Sequence, residues 1–373
     1  MERSGPESRI RLTKLGIFMN RIKIGVVGCG AVAQIQHLPN LKKLRDLFEV
    51  TIICDASKTL AADVASMFDI ERHTNDIDKL LYSDIEAVLL CHTDPKVDAA
   101  IAAFDAGKHV LIEKPVCFSL QEADKLIKAQ QDAATVGMAA YMKVFDPAFD
   151  LIRQELSGML PLRYAQINHL HTNNSHHLNN FNPLRATDLD PQLLKNAEQR
   201  RIDSALQALG DADDNTLDAF FRLSGSMIHD LYGARTLFGI PKRVASTIIW
   251  NEGWGIHTVL QYPEGFVCAA TWVELSNIRD FKETLEISND NERLLLSYPT
   301  GFSRGILSTL EIQRLSTDGT PIRSYPDIEW QSPFERELIH FHECITTGIE
   351  VMTPINETRH DIELIIDIIS ARR

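Results

Sequence analysis

The 373-residue chain has no apolar run near the ~20 residues that a membrane-spanning helix requires. It has no Cys-x-x-Cys pair; six cysteines stand apart at positions 29, 54, 91, 117, 268 and 344, several inside apolar runs. That scatter speaks against a metal cluster or a disulfide framework, and for buried, reduced thiols in the cytoplasm. Basic residues are scarce. The 38 Lys and Arg face 51 Asp and Glu, a formal charge of −13, which argues against nucleic acid as a partner. There is no internal repeat or low-complexity tract. Residues 1–18 hold charges of both signs without a continuous apolar stretch, so they do not read as a secretory signal. We read 1–19 as an extension, with Met19 an alternative start just ahead of the first strand. What is present, 44% hydrophobic and 24% charged residues, is the composition of a soluble globular protein long enough for two domains.

The chain then alternates strand and helix. Ile22–Val27, Val50–Cys54, Ala87–Cys91, Val110–Ile112 and Val136–Ala139 are apolar runs of strand length. Helical patterns separate them at Ala33–Leu47, Lys58–Met67, Pro95–Ala106 and Ser119–Ala134. This predicts a doubly wound α/β Rossmann sheet over residues 20–145. After about Asp146 the rhythm changes. Leu162–Leu170, Arg243–Trp250, Thr258–Tyr262, Phe266–Val273, Thr284–Ser288 and Arg293–Ser297 read as strands without alternating helices. We expect a C-terminal α+β domain, 146–373, with a large, mostly antiparallel open sheet. An insertion at about 172–223 opens rich in Asn and His, then turns helical and charged, as an inserted lid or helical pair would. Glu357–Ala371 is a final helix with an apolar stripe of Ile362, Ile365, Ile366 and Ile369.

Two motifs carry chemistry. Gly28-x-Gly30-x-x-Ala33 follows a strand and opens a helix. Gly28 permits the tight turn, Gly30 lets backbone approach a pyrophosphate, and Ala33 lets helix and strand pack closely, with the helix N-terminus facing the anion. Asp55 ends the second strand, where a carboxylate accepts from both adenosine ribose hydroxyls and repels a 2′-phosphate. NAD(H) is therefore favoured over NADP(H), although Lys58 nearby is a cation that could balance a phosphate. The second motif, Glu113-Lys114-Pro115, ends the run Val110-Leu111-Ile112, at a strand end that faces the ligand crevice.

With these motifs the chain resembles the Gfo/Idh/MocA oxidoreductases, the family of glucose–fructose oxidoreductase and inositol dehydrogenase. The matching stretches are residues 25–33, His37-Leu38-Pro39, Ala106 to Pro115, Tyr141-Met142-Lys143, and Ile228-His229-Asp230 followed by Leu237-Phe238-Gly239. The resemblance implies a Rossmann domain followed by an open-sheet domain. It implies hydride transfer at a carbinol carbon of a sugar, cyclitol or related hydroxylated molecule. It sets Glu113 and Lys114 beside the cofactor, Lys114 on the reacting oxygen, and His229 as proton donor or acceptor. Lys143, His169 and His171 are candidates for hydrogen bonding the substrate. No metal is expected, because the histidines crowding 169–177 lack a clean ligand spacing.

The chain also departs from the family pattern. Gly225 stands where sugar-active members often carry aspartate, and Tyr232 where another is frequent. Asp230, one residue beyond His229, points about 100° away from it on a helix. Two rival readings follow: a reaction on tightly bound NAD without net redox change, or a non-catalytic dinucleotide sensor. Family practice also implies a homo-oligomer, dimer or tetramer, through the open sheet, with the strand Phe266–Val273 and Trp272 at the contact.

Overall fold

A computed structural model describes residues 21–372. The expected extension 1–19 lies outside these residues. β1 (Ile22–Val27), β2 (Phe48–Cys54), β3 (Arg72–Thr74), β4 (Ala87–Leu90), β5 (His109–Glu113) and β6 (Gly137–Ala140) form a sheet ordered β3-β2-β1-β4-β5-β6, parallel throughout. Helices cover both faces, so Ile24, Val26, Val88, Leu89, Val110 and Leu111 are all buried and the central strands read as unbroken apolar runs. The strand order reverses between β1 and β4, and at such a switch point a crevice opens at the strand C-termini. β3 was not expected. It is a three-residue edge strand without a buried residue, too short and polar for a periodic signal.

The second sheet holds β7 (Tyr164–His171), β8 (Arg243–Trp250), β9 (Gly255–Gln261), β10 (Val267–Glu274), β11 (Lys282–Ser288), β12 (Glu292–Tyr298), β13 (Thr309–Leu315) and β14 (Pro321–Ser324). Its order is β14-β13-β12-β11-β7-β10-β9-β8, antiparallel except between β7 and β10. Side chains alternate across it, with Ala165, Ile167 and His169 of β7 and Cys268, Ala270 and Trp272 of β10 on the inner face. One expectation is corrected here. Trp272 is only 1% exposed and donates through Nε1 to the Ser226 hydroxyl at 2.9 Å, so it belongs to the interior and offers nothing to a second subunit.

The 172–223 stretch forms helices Ser175–Leu178, Pro191–Leu209 and Asp214–Arg222. The last runs through a π-turn, Leu223–Met227, into the helix Ile228–Phe238. A further helix, Pro333–Thr347, carries His340, Phe341 and His342, which the sequence pattern also set on a helix; it packs against the first domain, where Glu335 pairs with Lys43 and the His342 ring meets Phe48 edge-on. His342, expected to be partly exposed, is buried there. The chain then returns to the edge of the first sheet, as Thr353 exchanges hydrogen bonds with Ala139 at 2.8 and 2.7 Å. The final helix, Thr358–Ser370, buries Ile362, Ile365 and Ile369. All six cysteines are free thiols. Among the described residues no helix is long and apolar enough to cross a membrane.

Candidate active site

Gly28 has φ +95°, and a Cβ there would overlap the backbone of Cys91 and His92. Only glycine holds this turn. At Gly30 nothing lies within 4 Å of where a Cβ would stand, which leaves the approach open for a pyrophosphate. Ala33 is fully buried. Asp55 accepts from the backbone N–H groups of Cys29 and Ser57, both at 2.8 Å. A carboxylate offers about four acceptor positions, so two remain for ribose hydroxyls. The turn and its carboxylate therefore fit a dinucleotide. Lys58 is exposed at the first position of the helix Lys58–Phe68.

The insertion reaches the same turn. Leu184 exchanges hydrogen bonds with the Gln34 side chain at 2.9 and 2.8 Å. Asp188 accepts from the Ser57 hydroxyl, from the Thr59 hydroxyl at 2.8 Å and from the Thr59 N–H at 3.1 Å. These donors, Ser57 foremost, hold its carboxyl below the usual carboxylate range.

A cavity of about 410 Å³ opens from Val32 and Gln36. Lys114, Lys143, His169, His171 and His229 all line it, although they come from four separate elements. Lys114 follows β5 and is joined to Pro115 by a cis peptide. Its Nζ donates to the Gly225 carbonyl at 2.8 Å. Burial lowers its pKa, and the neighbouring Glu113 opposes that. Glu113 also lines the cavity, where it binds His37 Nε2 at 2.7 Å and accepts from the Lys114 N–H at 3.1 Å. It braces the lysine's backbone from behind. No atom lies within 4 Å of where a Gly225 Cβ would stand, so the missing family aspartate leaves open space beside Lys114. Tyr232, at the other departure, donates to the Met352 carbonyl at 2.8 Å, a structural contact.

The His229 ring lies edge-on to Tyr141, and its buried Nδ1 has no partner. Burial, then the charges of Lys143 and Lys114, hold its pKa well below the ordinary histidine value. It is therefore a neutral ring at pH 7, able to accept a proton. Behind it, Asp230 is placed where sequence reasoning gave it no role. The turn of about 100° that takes it away from His229 aims it at His169 Nδ1 (2.8 Å) and Lys143 Nζ (3.3 Å). Glu283 of β11 closes the group, pairing with Lys143 and lying 3.1 Å from His169 Nδ1. Burial alone would raise the Asp230 carboxyl; Lys143 and His169 more than reverse it. His169, Asp230 and Glu283 bring ligand atoms within 4.8 Å of one another, and the Lys143 ammonium stands among them as the cation. One signal could have found Glu283. It alternates with Leu285 and Ile287 on the inward face of a strand, where a charge needs a partner.

The fold and this cleft define a Rossmann-type sheet with an open-sheet second domain and a crevice between them. Residues 22–141 match the model of the GFO_IDH_MocA oxidoreductase family, NAD-binding Rossmann fold. Over 149 residues it is 31% identical to a 4-carboxy-2-hydroxymuconate-6-semialdehyde dehydrogenase of Sphingobium sp., covering 39% of this chain and 47% of that protein. Over 156 residues it is 26% identical to an inositol 2-dehydrogenase/D-chiro-inositol 3-dehydrogenase of Shouchella clausii, covering 41% and 45%. The match thus spans less than half the length of these curated relatives. Solved structures extend the likeness of fold. A levoglucosan dehydrogenase in complex with NADH and L-sorbose superposes with TM-score 0.73 at 16% identity, over 95% of this chain and 97% of that one. A 3-ketoreductase from Actinomadura kijaniata, in complex with NADP, gives 0.71 at 16% identity, over 95% and 98%. The first of these neighbours holds NADH and the second NADP.

Proposed function

We propose that the chain is an NAD(H)-dependent oxidoreductase that transfers hydride to or from a carbinol carbon of a hydroxylated small molecule. The observation that carries this is the meeting of Lys114 and His229 in one cavity that opens at the glycine turn. Bound nicotinamide would supply the hydride acceptor or donor. Lys114, held by the Gly225 carbonyl, hydrogen-bonds the substrate oxygen and stabilises developing alkoxide charge. Neutral His229 takes the hydroxyl proton in oxidation and returns it in reduction. The Asp230, Glu283, Lys143 and His169 cluster holds Lys143 and His169 in the cavity wall for the substrate's other hydroxyls. Relatives named as inositol dehydrogenases support a sugar or cyclitol as the substrate class.

The preference for NAD(H) rests on two carboxylates. Asp55 faces the ribose position, and Asp188 already occupies the Ser57 and Thr59 donors at the start of the following helix, which a 2′-phosphate would otherwise use. A paired fluorescence titration with NADH and NADPH tests this. NADH binds more tightly to the wild type, and Asp188→Ala raises NADPH affinity several-fold while leaving NADH affinity unchanged. Tighter NADPH binding by the wild type would reverse the assignment. Binding of neither would favour a protein with no dinucleotide function. The proposal includes a cytoplasmic dimer or tetramer formed on the outer face of the eight-stranded sheet; light scattering that reports a monomer removes that part.

A further inference from the structure

The cavity has four Lys and Arg side chains in its wall. Lys143 is neutralised by Asp230 and Glu283, and Arg201 by Glu198. Lys114 is held by a carbonyl at the reacting end. Arg222 is different. It ends the helix Asp214–Arg222, and among the described residues no carboxylate lies within ion-pair distance of it and no side-chain hydrogen bond reaches its guanidinium. Its Nε is buried without a partner. The guanidinium lies over aromatic rings, its Cζ 3.8 Å from the Trp254 ring centre and 6.0 Å from that of Trp272.

Stacking satisfies the face of a guanidinium and leaves its edge free. That edge is a planar fork of N–H donors, matched to two coplanar oxygens. A cation with an unused fork is a poor wall for a neutral polyol, whose hydroxyls are single donors and acceptors in varied planes. The neighbourhood agrees. His171, stacked on Trp272, is pushed down to about 3 by burial, helped by His169, Lys114 and Arg222, so it adds no positive charge of its own. The cation without a carboxylate partner at this end of the cavity is Arg222, half-buried beside the Trp254 and Trp272 rings, with the Glu274 carboxylate also in the wall.

We infer that the substrate is a hydroxy acid whose carboxylate docks on the Arg222 fork, with its carbinol carbon directed to Lys114 and His229. This rests on the oxidoreductase reading above and narrows it from hydroxylated molecules to hydroxylated carboxylates. Arg222 then fixes which hydroxyl faces Lys114, because a bidentate pair sets orientation as well as affinity.

The test is calorimetric titration of matched pairs, D-glucuronate against D-glucose and quinate against myo-inositol, into the protein with and without saturating NADH. D-Glucose 6-phosphate is a third arm. The expected result is binding of the carboxylates roughly 10- to 100-fold tighter than their neutral parents, the range of one charge-assisted pair. Arg222→Met abolishes that difference and Arg222→Lys restores part of it, while NADH affinity of both variants stays at the wild-type value. Equal binding of neutral parents, carboxylate binding undisturbed in Arg222→Met, or absence of any carboxylate-dependent heat overturns the inference. A preference for the phosphorylated sugar overturns it in favour of a phosphate ligand. Loss of NADH binding in the wild type is a separate outcome and sinks the oxidoreductase reading itself.

Discussion

At the cofactor end of the cleft, Gly28, Gly30, Ala33 and Asp55 lie just past the ends of the first two strands and at the start of the helical segment between them. At the substrate end, Lys114, Lys143, His169, Arg222, Asp230 and Glu283 come from six elements spread over most of the chain. The cofactor end works mainly through backbone: a positive φ, an open approach, N–H groups free at a helix start. The substrate end works through side-chain charge, and each charge is set by partners far away in sequence. A backbone device is written locally, because only glycine tolerates the turn. A buried ion cluster is written nowhere locally, because each member is tolerable only when the others are present.

That contrast predicts where single substitutions do most harm. Lys143 is the cation between two buried carboxylates, and Lys143→Met leaves Asp230 and Glu283 facing each other without it. Breaking such a pair costs about 3–5 kcal/mol of stability. Denaturant unfolding of Lys143→Met checks this, and the double variant with Asp230→Asn regains a part of the loss because one orphaned charge is gone. Additive losses in that cycle would show that the cluster is not an energetic unit, and the contrast between the two ends would weaken.

Lys114 sits where the two ends meet. Lys114→Met keeps the length of the side chain and removes the donor to the reacting oxygen. Removing one such donor lowers turnover roughly 10²–10³-fold, about 2.7–4 kcal/mol in the barrier. NADH affinity, set by the glycine turn, stays close to wild type in a fluorescence titration. Turnover within a few-fold of wild type would take Lys114 out of the chemistry.

The same contrast explains what could be read from the amino-acid sequence. The central strands, the glycine turn, Asp55 and the Glu-Lys-Pro motif were legible because each is a short contiguous pattern with a backbone reason. Lys143, His169 and His171 were legible as candidates, but not their partners. Asp230 was read as pointing away from His229, which is so; the sequence does not show that His169 and Lys143 wait on that side. Arg222 merged into a charged helix, and Asp188 into a polar loop, because their contacts lie far away in sequence, and for Asp188 in the other domain. β3 and β14 escaped notice as short, polar edge elements, and edge strands carry little of the apolar alternation that marks a strand; β13 lies inside the sheet and does alternate, through Leu310 and Ile312, but its run is interrupted by Glu311, Gln313 and Arg314.

The smallest expected effect lies behind the cofactor end and turns on a carboxyl without a partner. Glu337, in the helix Pro333–Thr347, is fully buried, and neither of its oxygens has a hydrogen-bond partner. Burial, then the charge of Glu113, push its pKa well above the ordinary value. In the unfolded chain the group loses its proton near the usual glutamate range, about 4.3. The folded state keeps it. Stability therefore falls as pH rises through and above that range, until the folded group also ionises, by up to about 1.4 kcal/mol per pH unit. Glu337→Gln removes this slope and leaves the shape of the side chain. Well below about pH 4.3, both residues are neutral in both states, and the two proteins differ little. At pH 7 the variant is more stable by about 1–3 kcal/mol, the scale of an unsatisfied buried group. Unfolding midpoints at several pH values decide it: a gap that widens with pH places an uncompensated acid behind the glycine turn, in contrast to the compensated pair at Lys143, and a constant gap would mean that Glu337 finds a partner after all.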